Sequence, residues 1–355
     1  WTDSWAYYFG ASYAMNDANR FELYAIGAPQ RHGQNLYKQN MMAYDQEFAA
    51  ENYKSELEGL DSDEDGKSDW DEWNSQFTHD EIDDQGNVVL DDDGNLVRLD
   101  AGRTFNQNWS PINESYTGEQ YWYMYGDKTQ ARHAGDFLNE RENFFHKPLV
   151  NLNHYLTLND YMRLSSILYW SGGSGGGTGT YGKIPTMDAD GNLGDDDYKF
   201  YYGSGPWTRD WNTLIDYNSG SADTVYVDKS AIARSAGQSV GILRNSINRQ
   251  STIGAISKLN YDLSDALQLQ FGLDWRTAGI EHAREVRDLL GGDYYLETND
   301  ANSPDGRKAE LGDIIAYHNE TTVDWLGFFG QGAYSSGALS AYGMAGYSTI
   351  AYSYQ

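Results

Sequence analysis

Apolar and polar residues alternate with a period of two from Ile253 to Arg276 more cleanly than elsewhere in the chain. Leu267, Leu269, Phe271, Leu273 and Trp275 occupy one parity, and Gln268, Gln270, Gly272, Asp274 and Arg276 the other. Such a period marks a β-strand with one apolar and one polar face. Upstream, Ile253, Ala255, Leu259 and Tyr261 oppose Thr252, Gly254, Lys258 and Asn260, and Leu263 to Ala266 supplies a short turn. The pattern predicts a hairpin whose arms run about ten residues or more, against about five or six for an ordinary strand. A tilted strand of that length crosses the hydrocarbon layer of a bilayer. A sandwich core would need apolar inward residues. The expectation is therefore an apolar face toward lipid and a polar face toward a lumen.

The same plan recurs. Trp5, Tyr7, Phe9, Ala11, Tyr13 and Met15 share a parity, Asn16 to Asn19 turns the chain, and Phe21, Leu23 and Ala25 resume. Val150, Leu152, Leu156 and Leu158 are followed by a turn at Asn159-Asp160 and by Met162, Leu164, Leu168 and Trp170. Hairpins are expected at about 5–28, 147–171, 250–277 and 321–353, the last with poor alternation and no assignable facing. Between them lie connections at about 29–146, 172–249 and 278–320, far longer than ordinary loops. Within the first, Asn87 to Leu90 and Asn95 to Leu99 read as a small hairpin around Asp91 to Gly94, and Asp136 to Phe145 as a helical turn or two. Short turns at one end and long loops at the other predict an all-β fold, a transmembrane antiparallel β-barrel with long extracellular loops. About eight strands are visible, and loops of this size suit a larger barrel than eight strands make.

Composition narrows the class. A net charge of −28 argues against nucleic-acid binding. The acid is concentrated, since residues 56 to 100 carry 17 acidic side chains and only Lys67 and Arg98 as basic ones. The absence of cysteine excludes disulfides and thiolate metal sites. No run of about 18 apolar residues exists, so no transmembrane helix is expected, which leaves strands that cross a membrane untouched. The first residues, Trp1 to Trp5, and the last, Tyr352 to Gln355, read as strand, so a segment of a longer protein is expected.

Three stretches resemble TonB-dependent outer-membrane receptors, particularly the large Bacteroidetes-type branch: AYYFGASYAMNDANRFELYAIGAPQRHGQNLY at 6–37, HKPLVNLNHYLTLNDYMRLSSILYWSGGSGGG at 146–177 and INRQSTIGAISKLNYDLSDALQLQFGLDWR at 247–276. The resemblance implies barrel strands in a barrel of 22, closed by a plug domain, in the outer membrane. It implies energised uptake of a solute through a TonB-type inner-membrane partner, with a surface lipoprotein as a further possible partner. The sequence departs from that pattern in lacking the plug, the short partner-binding box and the aromatic C-terminal strand, so the transport role would belong to the parent molecule.

The sharpest local motif runs from Asp61 to Glu72. Asp61, Asp63 and Asp65 stand at positions one, three and five of a calcium loop, Gly66 at the sixth, the Lys67 carbonyl at the seventh, Asp69 at the ninth and Glu72 at the twelfth. Alternate carboxylates converge on a hard cation, glycine permits the sharp turn, and a bidentate Glu closes the shell. Ser68 replaces the usual apolar eighth residue, and no helix is evident before the loop. The expectation is one structural calcium that braces an outer loop, the alternative a solvated acidic loop. Asp188 to Asn192 and Asp91 to Asn95 are shorter fragments that hairpin turns explain. Gly177 to Lys183 approaches a phosphate loop, but Ile184 stands where Ser or Thr would hold magnesium.

Arg31, His32 and Gln34 sit where a strand would leave the membrane and are candidates for solute contact, with ordinary rim hydrogen bonding the favoured alternative. Arg163, Lys258, Gln268, Gln270, Asp274 and Arg276 are expected to line a solute path or hold a plug. Trp70, Trp73, Trp109, Tyr121, Trp122, Tyr123 and Trp207 are candidates for solute stacking or for small loop cores. No histidine pair has metal spacing and no nucleophile motif stands out, so no enzyme is expected. The alternatives are a secreted or surface calcium-binding all-β adhesion or carbohydrate-binding module, and a passive porin. Burial of Leu267 to Trp275 beneath a second sheet would favour the module.

Overall fold

A computed structural model describes residues 1–36, 39–121, 129–187, 208–227, 229–300 and 302–354. The chain is mainly β, 58% strand against 11% helix, and its main element is an antiparallel sheet of 11 strands. These are β1 (Thr2–Ser4), β2 (Tyr7–Asn16), β3 (Asn19–Gly27), β4 (Gln30–Gly33), β5 (Glu142–His146), β6 (Leu149–Asn159), β7 (Met162–Gly182), β8 (Gly241–Ser264), β9 (Leu267–Asp288), β10 (Ile314–Ser336) and β11 (Leu339–Tyr354). Breaks at Pro29 and Pro148, which have no amide hydrogen for the ladder, separate β3 from β4 and β5 from β6. With β1 leading into β2 in the same way, the sheet is a meander of eight long ribbons, each paired with its neighbour in sequence. Among the described residues β2 pairs only with β3 and β11 only with β10, so both edges are free.

Two-residue turns join β2 to β3, β6 to β7, β8 to β9 and β10 to β11, all at one end. The three long connections leave from the other. The ladder extends well past the alternating stretches, with β7 running to Gly182, β8 starting at Gly241 and β9 reaching Asp288. Neither the glycine run of β7 nor the charged run Glu281 to Asp288 alternates in hydropathy, because these ends lie under the packed connections rather than between two distinct surroundings. Glu142 to His146 pairs with β4 and β7. Phe137–Asn139 is also strand, which corrects the expected helical turn: cross-strand pairing overrides a weak local preference there.

Register assigns the faces. Leu23, Leu152, Leu168, Ala255, Trp275 and Leu326 stand side by side in one row across six ribbons. Phe271, Leu273 and Trp275 are 48%, 46% and 41% exposed, so among the described residues no second protein layer covers these positions. The opposite face is polar: Arg163 meets Asp262 at 2.6 Å, Gln270 donates to Asn260 at 2.6 Å and Arg276 lies over the Trp325 ring at 5.0 Å. A Cβ on Gly272 would stand 2.0 Å from Phe329, so the glycine leaves room for that ring on the polar face. On β11 the sizes invert. Ala341, Gly343 and Ala345 fall in the apolar rows while Tyr342, Met344 and Ile350 share the polar face, and all sixteen residues are exposed.

The long connections pack into a cap. Ile112 and Leu138 from the first, Ile184, Trp211, Leu214, Val225 and Val240 from the second and Leu290 from the third share one hydrophobic core. Helix α4 (Trp211–Ser219) is its centre, with Trp211 and Leu214 fully buried. A buried ionic junction ties this cap to the sheet. The Glu142 carboxylate accepts from Arg31 at 2.9 Å and from Arg287, which also donates to Gln120 at 2.8 Å and to Asn245 at 3.5 Å. Gln120 and the Tyr116 hydroxyl then donate to Asp288 at 3.2 and 2.7 Å. Removing one member of a buried pair strands the other charge at a cost of about 3–5 kcal/mol. Glu142→Ala strands two guanidiniums at once and is expected to lower stability by at least that much, read as the unfolding midpoint; an unchanged midpoint would show the junction to be incidental.

Candidate functional site

The acidic loop lies in a small helical subdomain of the first connection. It comprises α1 (Met41–Tyr44), α2 (Gln46–Leu57) and α3 (Asp69–Phe77), packed around Met42, Ala43, Ala49, Leu57, Trp70 and Phe77. Asn40, Asp45 and Ser68 cap the three helices, each side chain accepting a first-turn amide. Helix α2 therefore precedes the loop directly and α3 follows it. The sequence concealed α2 because only Ala49 and Leu57 of its twelve residues are buried, too few for a legible stripe.

Within the loop the carboxylates of Asp61, Asp63 and Asp65 each place an oxygen within 4.8 Å of the others. Backbone amides organise them: Asp61 accepts from Asp65 and Gly66 at 3.1 Å each, and Asp63 from Asp65 at 3.2 Å. Gly66 has φ of 91°, a left-handed turn that glycine adopts without strain. Lys67 donates its amide to Asp65 at 2.8 Å and sets its ammonium 3.3 Å from the same carboxylate. Both contacts hold the Asp65 carboxyl below its ordinary range, the amide first. Asp69 turns to Ser62, whose amide and hydroxyl donate at 2.8 and 2.7 Å and lower its carboxyl likewise. Desolvation, then the charges of Asp63 and Asp65, push the Glu72 carboxyl up. Positions one, three and five are thus gathered, position twelve lies in their field, and position nine is used internally. Carboxylate oxygens are hard donors of the kind calcium takes, and Asp61, Asp63 and Asp65 bring three such groups together.

The remaining candidates separate. Asp91 accepts from the amides of Asp93 and Asn95 at 3.0 and 2.8 Å, and Asp83 makes the same turn with Gln85 and Asn87. Leu90 bridges Leu96, but Arg98–Leu99 pairs with His79–Asp80 rather than with the far arm of the expected hairpin. Asp188 to Asn192, Trp122, Tyr123 and Trp207 lie outside the described residues. Gly177 to Gly182 is the end of β7, and the next described element, Thr186–Met187, is again strand. Arg31 is buried in the ionic junction and His32 lies beside Gln30 at 3.0 Å. The Gln34 carbonyl accepts from Asn106 at 3.1 Å. Trp70 belongs to the helical core, Trp73 is at its surface, and Trp109 packs on His133 and Phe137. Tyr121 accepts from Asn245 through its carbonyl at 2.8 Å. Arg163, Lys258, Gln268, Gln270, Asp274 and Arg276 share the polar face.

That face also carries a feature the alternation did not reveal, a cleft of about 530 Å³ where the glycine run of β7 passes between β5 and β8. The available signal was glycine inside a strand, which marks a close approach. No protein-family model matches the chain, and no curated protein matches it.

The raised Glu72 carboxyl has a definite sign. Folding favours its protonated form, so its contribution is full below the unfolded value and is lost as pH rises through the folded one. In the presence of a chelator, Glu72→Gln is therefore expected to unfold at a higher temperature than the parent at pH 7. The gap should shrink as pH falls toward about 4.3; a constant gap would place Glu72 outside the cluster's field.

Proposed function

We propose that the chain is part of a transmembrane β-barrel in the outer membrane of a bacterium, in a transporter of the TonB-dependent kind. The observation that carries the reading is the uncovered apolar face: Trp275 is exposed in register with Leu168, Leu152 and Leu326, and Phe271 and Leu273 are exposed on the same face, while the opposite face is polar. Acyl chains are the solvent that suits such rows, since exposed apolar surface of this extent is rare in water. Ribbons of nine residues or more, short turns at one end and a packed cap at the other fit the same arrangement. The free edges of β2 and β11 accept further strands that would close the barrel. The polar face then meets solute and a plug domain, and the cap is the outer capture surface. An inner-membrane partner of the TonB type supplies the energy.

The helix-loop-helix subdomain fits as a calcium-braced part of that surface. Asp61, Asp63, Asp65 and Glu72 would hold the ion, with the Lys67 carbonyl completing the pattern and Asp69 supporting through Ser62. Bound calcium would supply the positive charge that lets these carboxylates stay together.

Membrane placement is tested by one substitution on each face. Leu273→Arg is expected to lose about 2–4 kcal/mol of folding free energy in lipid and to block insertion, while Gln270→Arg inserts normally. In a water-soluble module, Leu273→Arg would instead leave stability unchanged and improve solubility, which would overturn the reading. Calcium is tested separately: its addition is expected to raise the unfolding midpoint of the parent and not that of Asp61→Asn. An equal rise in both would remove the ion from this loop.

A further inference from the structure

The cleft on the polar face has a charge opposite to that of the protein. The chain has 53 acidic and 25 basic residues, yet none of the residues lining the cleft is Asp or Glu. Its floor is bare, because Gly173, Gly175 and Gly177 present no side chain there. Phe145 and Lys147 form one wall, and Asn248 and His282 stand on the other side, in one register row with Gly175. Lys147 lies 5.9 Å from the Phe145 ring, and among the described residues no carboxylate comes within ion-pair distance of it.

Two arginines extend the cationic surface beyond Gly177. Arg244 donates to the Gly177 carbonyl at 3.2 Å and to the Ser246 hydroxyl at 2.9 Å. Arg284 stands opposite Ser246, two residues along the strand from His282, and lies over the rings of Tyr181 and Tyr317 at 5.1 and 5.2 Å. Among the described residues neither guanidinium has a carboxylate partner, and the Nε of each is buried without a hydrogen bond. A third guanidinium, that of Arg141, paired with Glu140 at 3.8 Å, stands beside them, since a Cβ on Gly179 would meet Arg141 Nη1 at 2.6 Å and Arg244 Nη2 at 2.8 Å. Like charges gathered beside an acid-free cleft focus a positive field into it, and guanidinium forks match the oxygens of carboxylates and phosphates. The junction around Glu142 shows the contrast, since there each buried arginine is placed on a carboxylate.

We propose that this cleft binds a small anionic solute, with its carboxylate or phosphate toward Arg284, Arg244 and Lys147 and its apolar part against Phe145. The inference rests on the reading of the polar face as a solute-facing surface and names the class of solute. The glycine floor supplies a steric probe: a Cβ on Gly177 meets only the Glu142 carbonyl at 3.8 Å, ordinary contact, so a larger side chain enters the cleft without forcing the strands apart.

The test is titration of the purified full chain in detergent with phenylacetate, phenyl phosphate and neutral benzyl alcohol at constant ionic strength, followed calorimetrically. Saturable binding of at least one aryl anion and none of the alcohol is expected, and which anion binds identifies the acidic group. Arg284→Gln and Gly177→Val are each expected to weaken that binding at least tenfold, with Gly177→Val keeping the parent's unfolding midpoint. Absence of binding by both anions, equal binding of the alcohol, or unchanged affinity in both variants would overturn the proposal. If the anions fail to bind while Leu273→Arg still blocks insertion, the cleft assignment falls and the barrel reading stands.

Discussion

The ladder register across eight ribbons is the constraint on which the rest depends. Because side chains alternate strictly along a strand, a one-residue slip would exchange every apolar position for a polar one. The long antiparallel pairings, such as those from Met162 to Gly182 against Gly241 to Tyr261, hold that parity in common. They also satisfy backbone donors and acceptors within the sheet, which lets one face be apolar without help from water. The faces are thus set by pairing as well as by composition, and the inverted sizes on β11 show it: Tyr342 and Met344 lie with the polar rows because Ala333 and Gln331 are their partners.

Beyond the alternating stretches, other forces take over. The upper ends of β7, β8 and β9 are held by a hydrophobic core shared among three connections far apart in sequence and by charges buried at their junction. Glu142 serves two arginines from different ribbons, Arg31 and Arg287, and the second reaches Gln120 and through it Asp288. Such a junction is sensitive to the loss of any member, since each buried charge depends on the others. It couples the cap's position to the sheet, and the cleft of the polar face lies on β5, β7, β8 and β9, close to the junction.

The acidic loop follows a different logic. Its carboxylates are brought together by local backbone turns, with Gly66 permitting the bend and Ser68 starting α3, so the cluster forms within about a dozen residues. What the wider fold adds is the packing of α2 and α3 on either side through Leu57, Trp70 and Phe77. The repulsion among the carboxylates is the reason a divalent cation would steady this segment.

Much was legible in the residues alone. Strict alternation from Leu267 to Trp275 determined a two-faced strand, because no other regular structure has a period of two, and the spacing of Asp61, Asp63 and Asp65 determined a converging triad, because adjacent turns bring them together. The lengths of the ribbons were not legible, because Gly172 to Gly182 and Glu281 to Asp288 take their pairing from neighbours rather than from hydropathy. Helix α2 was hidden by its sparse apolar positions, and the strand at Glu142 to His146 by residues whose local preference is weak. Only the tertiary structure could place Arg31 and Arg287 on one carboxylate and Arg284 beside a bare glycine floor, because cross-strand rows and the packing of distant connections decide which charges meet, and sequence separation carries no record of that.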